Sequence, residues 1–128
     1  MNPIREDFLR VIYQLQTQQR TVTIRRLATI FKVRAASATY LIQALQADGF
    51  VIHPKYQRSI TLTKAGRDKA EAILKNRQLW QLFLSDALHC SATELETALG
   101  GLEHIHDPQL AKRLVKLMVQ HQKNGTPE

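Results

Sequence analysis

The side chains with the clearest chemistry in this chain are suited to binding rather than to reacting. A helical pattern runs from Ser37 to Asp48, with Ala38, Leu41, Ile42 and Leu45 on its inward stripe. That leaves Arg34, Ala36, Ser37, Thr39, Tyr40 and Gln43 outward, concentrated at the helix's first turn. An arginine there can pair with guanine or a phosphate. Small Ala36 and the Thr39 methyl suit thymine methyls, and a tyrosyl hydroxyl donates to a base or a phosphate. A second polar group, Lys55-Tyr56-Gln57-Arg58, reads as a phosphate clamp. Arg25 and Arg26, on the helical pattern just before, are candidates for contacts to a nucleic-acid backbone.

Reactive chemistry finds little support. The chain has no phosphate-cradling glycine loop, no HExxH, no paired CxxC and no Gly-x-Ser-x-Gly elbow. His89 and Cys90 would make a thiolate only by facing one site, which adjacency does not ensure. Together with His106 they match no metal-ligand spacing. The reading is of a protein that is not an enzyme.

The elements that must position the binding residues follow in order. Thr23 to Lys32 is helical, Val33 to Ala36 is a polar break, and the Ser37 helix stops at Gly49. Phe50 to His53, the tip Pro54 to Arg58, and Ser59 to Leu62 then make a small hairpin. Helix, tight turn, helix and β-ribbon form a winged helix-turn-helix across Thr21 to Leu62, a unit that docks on duplex DNA.

Charge supports this once it is located. The net charge is +7, and Met1 to Lys69 holds twelve Lys or Arg against four Asp or Glu, while the remainder holds six against seven. The surplus sits on the segment that would meet phosphates, where released counterions supply non-specific affinity. The plainer reading is a solvated basic face.

Length and composition set the frame. With 128 residues, 44% of them hydrophobic, the chain can bury a core. No apolar run approaches the roughly 20 residues of a membrane-spanning helix. The opening Asn2-Pro-Ile-Arg-Glu-Asp7 resembles a helix start rather than a signal peptide. A lone cysteine, Cys90, fits a reducing, cytoplasmic location.

Helices account for the rest. Asn2 caps and Pro3 opens a first helix with the stripe Ile4, Phe8, Val11, Ile12 and Leu15. Thr63 caps a long helix from Lys64 to about Ala87, in which Gly66 costs some propensity near a tolerant end. Ser91-Ala-Thr-Glu94 is a capping box, and Asp107-Pro108 restarts a last helix with Leu110, Leu114, Leu117 and Met118 on one side. A frayed tail is expected from Lys123 onward. The fold class is mainly α with a small β-hairpin, as a winged helix-turn-helix domain (1–69) followed by a helical dimerisation domain (70–128). Leu79, Trp80 and Phe83, in the apolar cluster Leu79 to Leu84, are the expected homodimer interface, since two-fold regulators need a rigid spacer between recognition helices.

From Glu6-Asp-Phe-Leu-Arg-Val-Ile-Tyr13, through the wing ending Leu62-Thr-Lys-Ala-Gly66, to Gly101-Leu-Glu-His104 and Lys112 to Leu117, the chain resembles the iron- and manganese-dependent repressors, the diphtheria toxin repressor and manganese transport regulator group. The resemblance implies a homodimer that binds double-stranded operator DNA when loaded with Fe(II) or Mn(II). It also implies a metal held by helix one, the long helix and the Leu-Glu-His helix. The third, SH3-like domain often found in the group has no counterpart here, which suggests a short form.

By position the family's ligands fall on Asp7, Arg10, Arg77, Gly100, Glu103 and His104. Asp7, Glu103 and His104 keep hard-oxygen and imidazole chemistry suited to Mn(II), Fe(II) or Zn(II). Arg77 stands where manganese-type members carry histidine, Gly100 where they carry glutamate or cysteine, and Arg10 where they carry a carboxylate, although diphtheria-type members also carry arginine there. A two-metal site is not expected. One reading is a single ion per subunit on Asp7, Glu103, His104 and water. Its rival has Arg10 and Arg77 replacing the metal by pairing with Asp7 and Glu103, leaving no cofactor. The alternative functions are a winged-helix regulator that senses a small organic ligand, and a winged-helix protein-interaction adaptor.

Overall fold

The computed structural model describes residues 1–124, and the tail expected to fray falls largely outside them. In order, the elements are α1 (Pro3–Thr17), α2 (Ile24–Phe31), α3 (Ala35–Ala47), β1 (Val51–Ile52), β2 (Thr61–Leu62), α4 (Lys64–Leu82), a π-helical turn (Phe83–Ala87), α5 (Ala92–Leu102) and α6 (Pro108–Asn124). The chain divides into two compact units, the first Met1–Ala72 and the second beginning at Ile73, so the division falls inside α4.

Unit 1 is built from sharply punctuated helices. The Asn2 side chain accepts from Arg5 N at 3.0 Å with Pro3 behind it, which starts α1. Its buried face is Phe8, Leu9, Ile12 and Leu15, whereas Ile4 stays exposed. The stripe is thus rotated toward Leu9 from the sequence expectation. Thr23 caps α2 by accepting from Arg26 N at 3.1 Å. Lys32 ends α2 at φ 55°, a left-handed residue whose turn lets Val33 N donate to Ala28 O at 3.0 Å. Arg34 then serves as N-cap, so α3 starts at Ala35, ahead of the expected Ser37. The break is shorter than its polarity suggested because Ala35 and Ala36 are good helix formers.

Ala38, Ile42 and Leu45 of α3 are buried along with Phe8, Ile12, Leu27, Val51 and Ile60 in this unit. Phe8 and Phe31 stack with centroids 4.3 Å apart. Each fully buried Leu, Ile, Val or Phe of this core contributes about 1.5–3 kcal/mol. The wing is minimal, with Val51 opposite Leu62 and Ile52 opposite Thr61 in antiparallel register. It is held at three points. Gly49, at φ 83°, ends α3, His53 N donates to Gln46 Oε1 at 2.8 Å, and Ile60 N donates to Val22 O at 2.8 Å.

Thr63 locks wing to helix. Its hydroxyl donates to Gly49 O at 2.6 Å and accepts from Gly66 N at 3.0 Å. Gly66 is required for a reason its helix propensity hides: a Cβ there would collide with the Phe50 carbonyl.

Unit 2 gathers around Trp80, Leu84, Leu99 and Leu114, with Leu79, Phe83, Cys90, Leu95 and Leu102 packed against them. The long helix does not run regularly to Ala87, because its last turn widens into the π-helical segment. There Leu84 stays in the core while Leu88 emerges, and His89 turns the chain at φ 54°. Ser91 and Glu94 form the expected capping box. Asp107 Oδ1 accepts from Gln109 N at 2.9 Å to open α6. Leu114 and Met118 are buried on α6, but Leu117, at the edge of their stripe, is 44% exposed.

Candidate nucleic-acid interface and metal-binding region

The outward residues of α3 stand clear of the unit 1 core. Arg34, Ala36, Ser37 and Gln43 are exposed, Tyr40 is 67% exposed, and Thr39 is half-buried. No side chain caps the N-terminus of α3, where Arg34 stands. On the wing, Lys55, Tyr56, Gln57 and Arg58 are all exposed. Their turn is closed by Gln57 N donating to Pro54 O at 3.1 Å, with Tyr56 at φ 67° and 97% exposed. Lys55 Nζ sits 5.8 Å from the Tyr56 ring centroid.

On α2, Arg25 is exposed, but Arg26 is half-buried and its guanidinium donates to Thr21 O at 2.7 Å. Arg26 therefore braces the start of its own helix. Arg20, Thr23, Arg25, Arg26, Thr29 and Ile30 line one open basic depression. Arg25, Lys55 and Arg58 are all exposed for phosphate contact.

The family-ligand positions can be placed within each unit. In unit 1, Arg10 Nη2 lies 3.6 Å from Asp7 Oδ1, about one helical turn away, and Arg10 Nη1 donates to Gln14 Oε1 at 3.2 Å. In unit 2, Arg77 Nε donates to Glu103 Oε2 at 2.7 Å. Glu103 is only 7% exposed and is the one buried carboxylate among the described residues of that unit. Its other oxygen lies 3.5 Å from His104 Nε2. Gly100 is exposed on α5, with open space where a side chain would stand.

Sequence reading missed what surrounds this pair. Glu103 is the C-cap of α5 rather than part of its face. Asn76 Nδ2 donates to Glu103 O at 2.8 Å and to Ile105 O at 2.9 Å, and Trp80 Nε1 reaches Ile105 O at 3.5 Å. Asn76, Arg77 and Trp80 thus clasp the turn after α5 from consecutive turns of α4. An Asn one residue before an Arg is a faint signal in a sequence, because its partners are main-chain carbonyls. Trp80, expected at a dimer interface, is 6% exposed and belongs to the unit 2 core, and Leu79 and Phe83 pack beside it. Exposed apolar surface lies instead at Leu82, Leu88, Val115, Leu117 and Val119. His89 and His106 are exposed, and Cys90 is half-buried against the core.

A basic winged helix-turn-helix is thus followed by a helical unit whose long helix grips a buried Glu. Family models make this specific. The iron dependent repressor N-terminal DNA-binding domain matches residues 3–58, and the iron dependent repressor metal binding and dimerisation domain matches residues 63–126. The chain belongs to the iron-dependent repressor family.

It is 25% identical over 113 residues to the diphtheria toxin repressor of Corynebacterium diphtheriae, covering 88% of this chain and 50% of that protein. Against the HTH-type transcriptional regulator MntR of Lysinibacillus sphaericus it is 26% identical over 102 residues, covering 80% of this chain and 72% of that protein. Its fold superposes on the manganese regulator SloR with a TM-score of 0.80 at 27% identity, covering 93% of this chain and 55% of that one. The chain therefore spans about half the length of two of these three relatives.

Proposed function

We propose that this protein is a homodimeric, DNA-binding transcriptional regulator that reads duplex operator DNA with α3 and the wing. The observation that carries this reading is the exposed face of α3 beside a basic wing tip, on the unit holding the whole positive surplus. Arg34, Ala36, Ser37, Thr39, Tyr40 and Gln43 approach base edges, while Arg25, Lys55, Tyr56 and Arg58 hold phosphates. Arg26 acts through the Thr21 bond by setting the pitch of α2.

Dimerisation belongs to the helical unit. Val115 and Val119 are exposed at four-residue spacing on α6, and Leu82 and Leu88 are exposed around the end of α4. A second copy of this chain is the natural cover for such a surface. Leu79 and Phe83, which pack against the unit 2 core, remain candidates for the same interface. The role is binding rather than catalysis, in the cytoplasm where such DNA lies. No described helix is long and apolar enough to cross a membrane.

The metal that the family implies would be bound by carboxylates and imidazole, here Asp7, Glu103 and His104. The donor set does not fit a resident ion as it stands, since Arg77 already holds Glu103 and Arg10 lies against Asp7. The reading is therefore of at most one Mn(II), Fe(II) or Zn(II) per subunit, or of none.

The test is selection of duplexes from a random pool, followed by titration of the winner across a range of salt. Specific binding with a log–log salt slope of several units supports the reading. Enrichment of no sequence, or salt-independent binding, overturns it. Light scattering at micromolar concentration checks the dimer, and a monomeric mass removes it.

A further inference from the structure

We propose that the Arg77 guanidinium is a built-in, permanent cation for Glu103, so that the α4–α5 clasp forms, and the protein binds DNA, without a divalent metal. The DNA-binding half of this statement rests on the function proposed above.

Burying a charge is costly. A carboxylate as buried as Glu103 cannot stay charged without a counter-charge and hydrogen-bond donors. In a domain described as metal binding, a cation would ordinarily meet that need. Here the need is already met from within the chain. The Arg77 Nε bond, at 2.7 Å, has the length of a charge-assisted contact. A guanidinium keeps its charge at any working pH and cannot dissociate.

The same helix turn also carries Asn76, whose two bonds fix the main chain on either side of His104. A divalent ion bridging two helices would neutralise a carboxylate and fix the spacing of the elements that carry it. Arg77 performs the first task and Asn76 the second. An incoming ion would meet a fixed positive charge at the only buried carboxylate among the described residues of unit 2. The site is therefore set permanently in its compensated state.

The experiment compares the whole protein with R77A and R77K. Mn(II) is titrated calorimetrically, and thermal unfolding is followed by the emission of Trp80, which packs beside the clasp. Binding to the selected duplex is measured in chelator and in Mn(II). The wild type should show no tight Mn(II) site, a Trp80 transition indifferent to chelator, and equal duplex affinity in both conditions. R77A should uncover the carboxylate, gaining at least tenfold in Mn(II) affinity and a transition that rises with Mn(II). R77K should keep the wild-type indifference, because it retains the charge.

Tight Mn(II) binding by the wild type, or a tenfold or greater loss of its duplex affinity in chelator, overturns the proposal. R77A that neither gains metal affinity nor responds to Mn(II) overturns it too. Should no duplex bind under any condition, the proposed function fails, while the metal titration and the Trp80 transition still decide the role of Arg77.

Discussion

Adding one methyl group at Gly66 and one at Gly100 should move stability in opposite directions. At Gly66 the new Cβ would press into the Phe50 carbonyl, with Leu62 Cδ2 at 3.1 Å on the other side. Leu62 can rotate away, but the carbonyl cannot, because it accepts from Thr63 N at 3.0 Å. Overpacking of this kind costs about 1–3 kcal/mol. Drawing the carbonyl off forfeits much of a hydrogen bond with a net value of about 1 kcal/mol. Alanine returns about 0.8–1 kcal/mol of helix propensity. The balance for Gly66→Ala is a loss of about 2 kcal/mol.

Gly100 has nothing within 4 Å of its would-be Cβ, so Gly100→Ala collects the propensity alone. It should gain up to about 1 kcal/mol. Urea denaturation followed by far-UV circular dichroism measures both variants, with Trp80 emission marking unit 2. A G66A protein as stable as wild type would refute the close approach of wing and helix, and so would both variants shifting the same way.

Other outcomes follow from the same contacts. Thr63→Ala should cost about 1–2 kcal/mol by removing the cap of α4 and the Gly49 bond together, with Thr63→Ser recovering most of it in the same denaturation assay. Tyr40→Ala should weaken the selected duplex about 10-fold or more while leaving random DNA little changed, whereas Arg58→Ala should weaken both alike and lower the salt slope by about one. Glu94 is held below the ordinary carboxylate range by its bonds from the Ser91 backbone and side chain. Its folded form is thus favoured when charged, and the stability it lends is present above the unfolded pKa and lost as pH falls through the lowered one. Melting curves through the acidic range should show this loss in wild type and a flatter response in E94Q, which keeps an accepting oxygen without the charge. Identical slopes would disprove it.

Punctuation was the legible part of this sequence. Asn2-Pro3, Gly49, Thr63, Ser91-Glu94 and Asp107-Pro108 each mark a helix end through local contacts, and local contacts can be read from neighbours in sequence. Contacts between distant residues were harder. Leu9 is buried where Ile4 was expected, because a stripe's centre depends on what packs against it. Trp80 looks like interface in a list of apolar residues, and only packing shows that Leu84, Leu99 and Leu114 enclose it. The π-helical turn has no sequence mark, since it arises from keeping Leu84 inward while the chain turns toward α5. At the candidate metal region, the pairing of Arg77 with Glu103 could be posed from side-chain chemistry as one of two options. The clasp by Asn76 could not, because it joins a side chain to carbonyls 27 and 29 residues away.

The wing tip has a consequence for how this protein can be improved or worn down. Tyr56 occupies a left-handed backbone position that glycine or asparagine fills without strain, and it shields almost none of its ring. Holding a bulky residue there costs of order 1 kcal/mol. That sum is an unclaimed reserve, available to any variant that trades the ring for glycine. A lineage selected for durability alone would take that trade quickly, and one selected for what the wing touches would refuse it. Position 56 is thus a gauge of which demand has ruled the molecule.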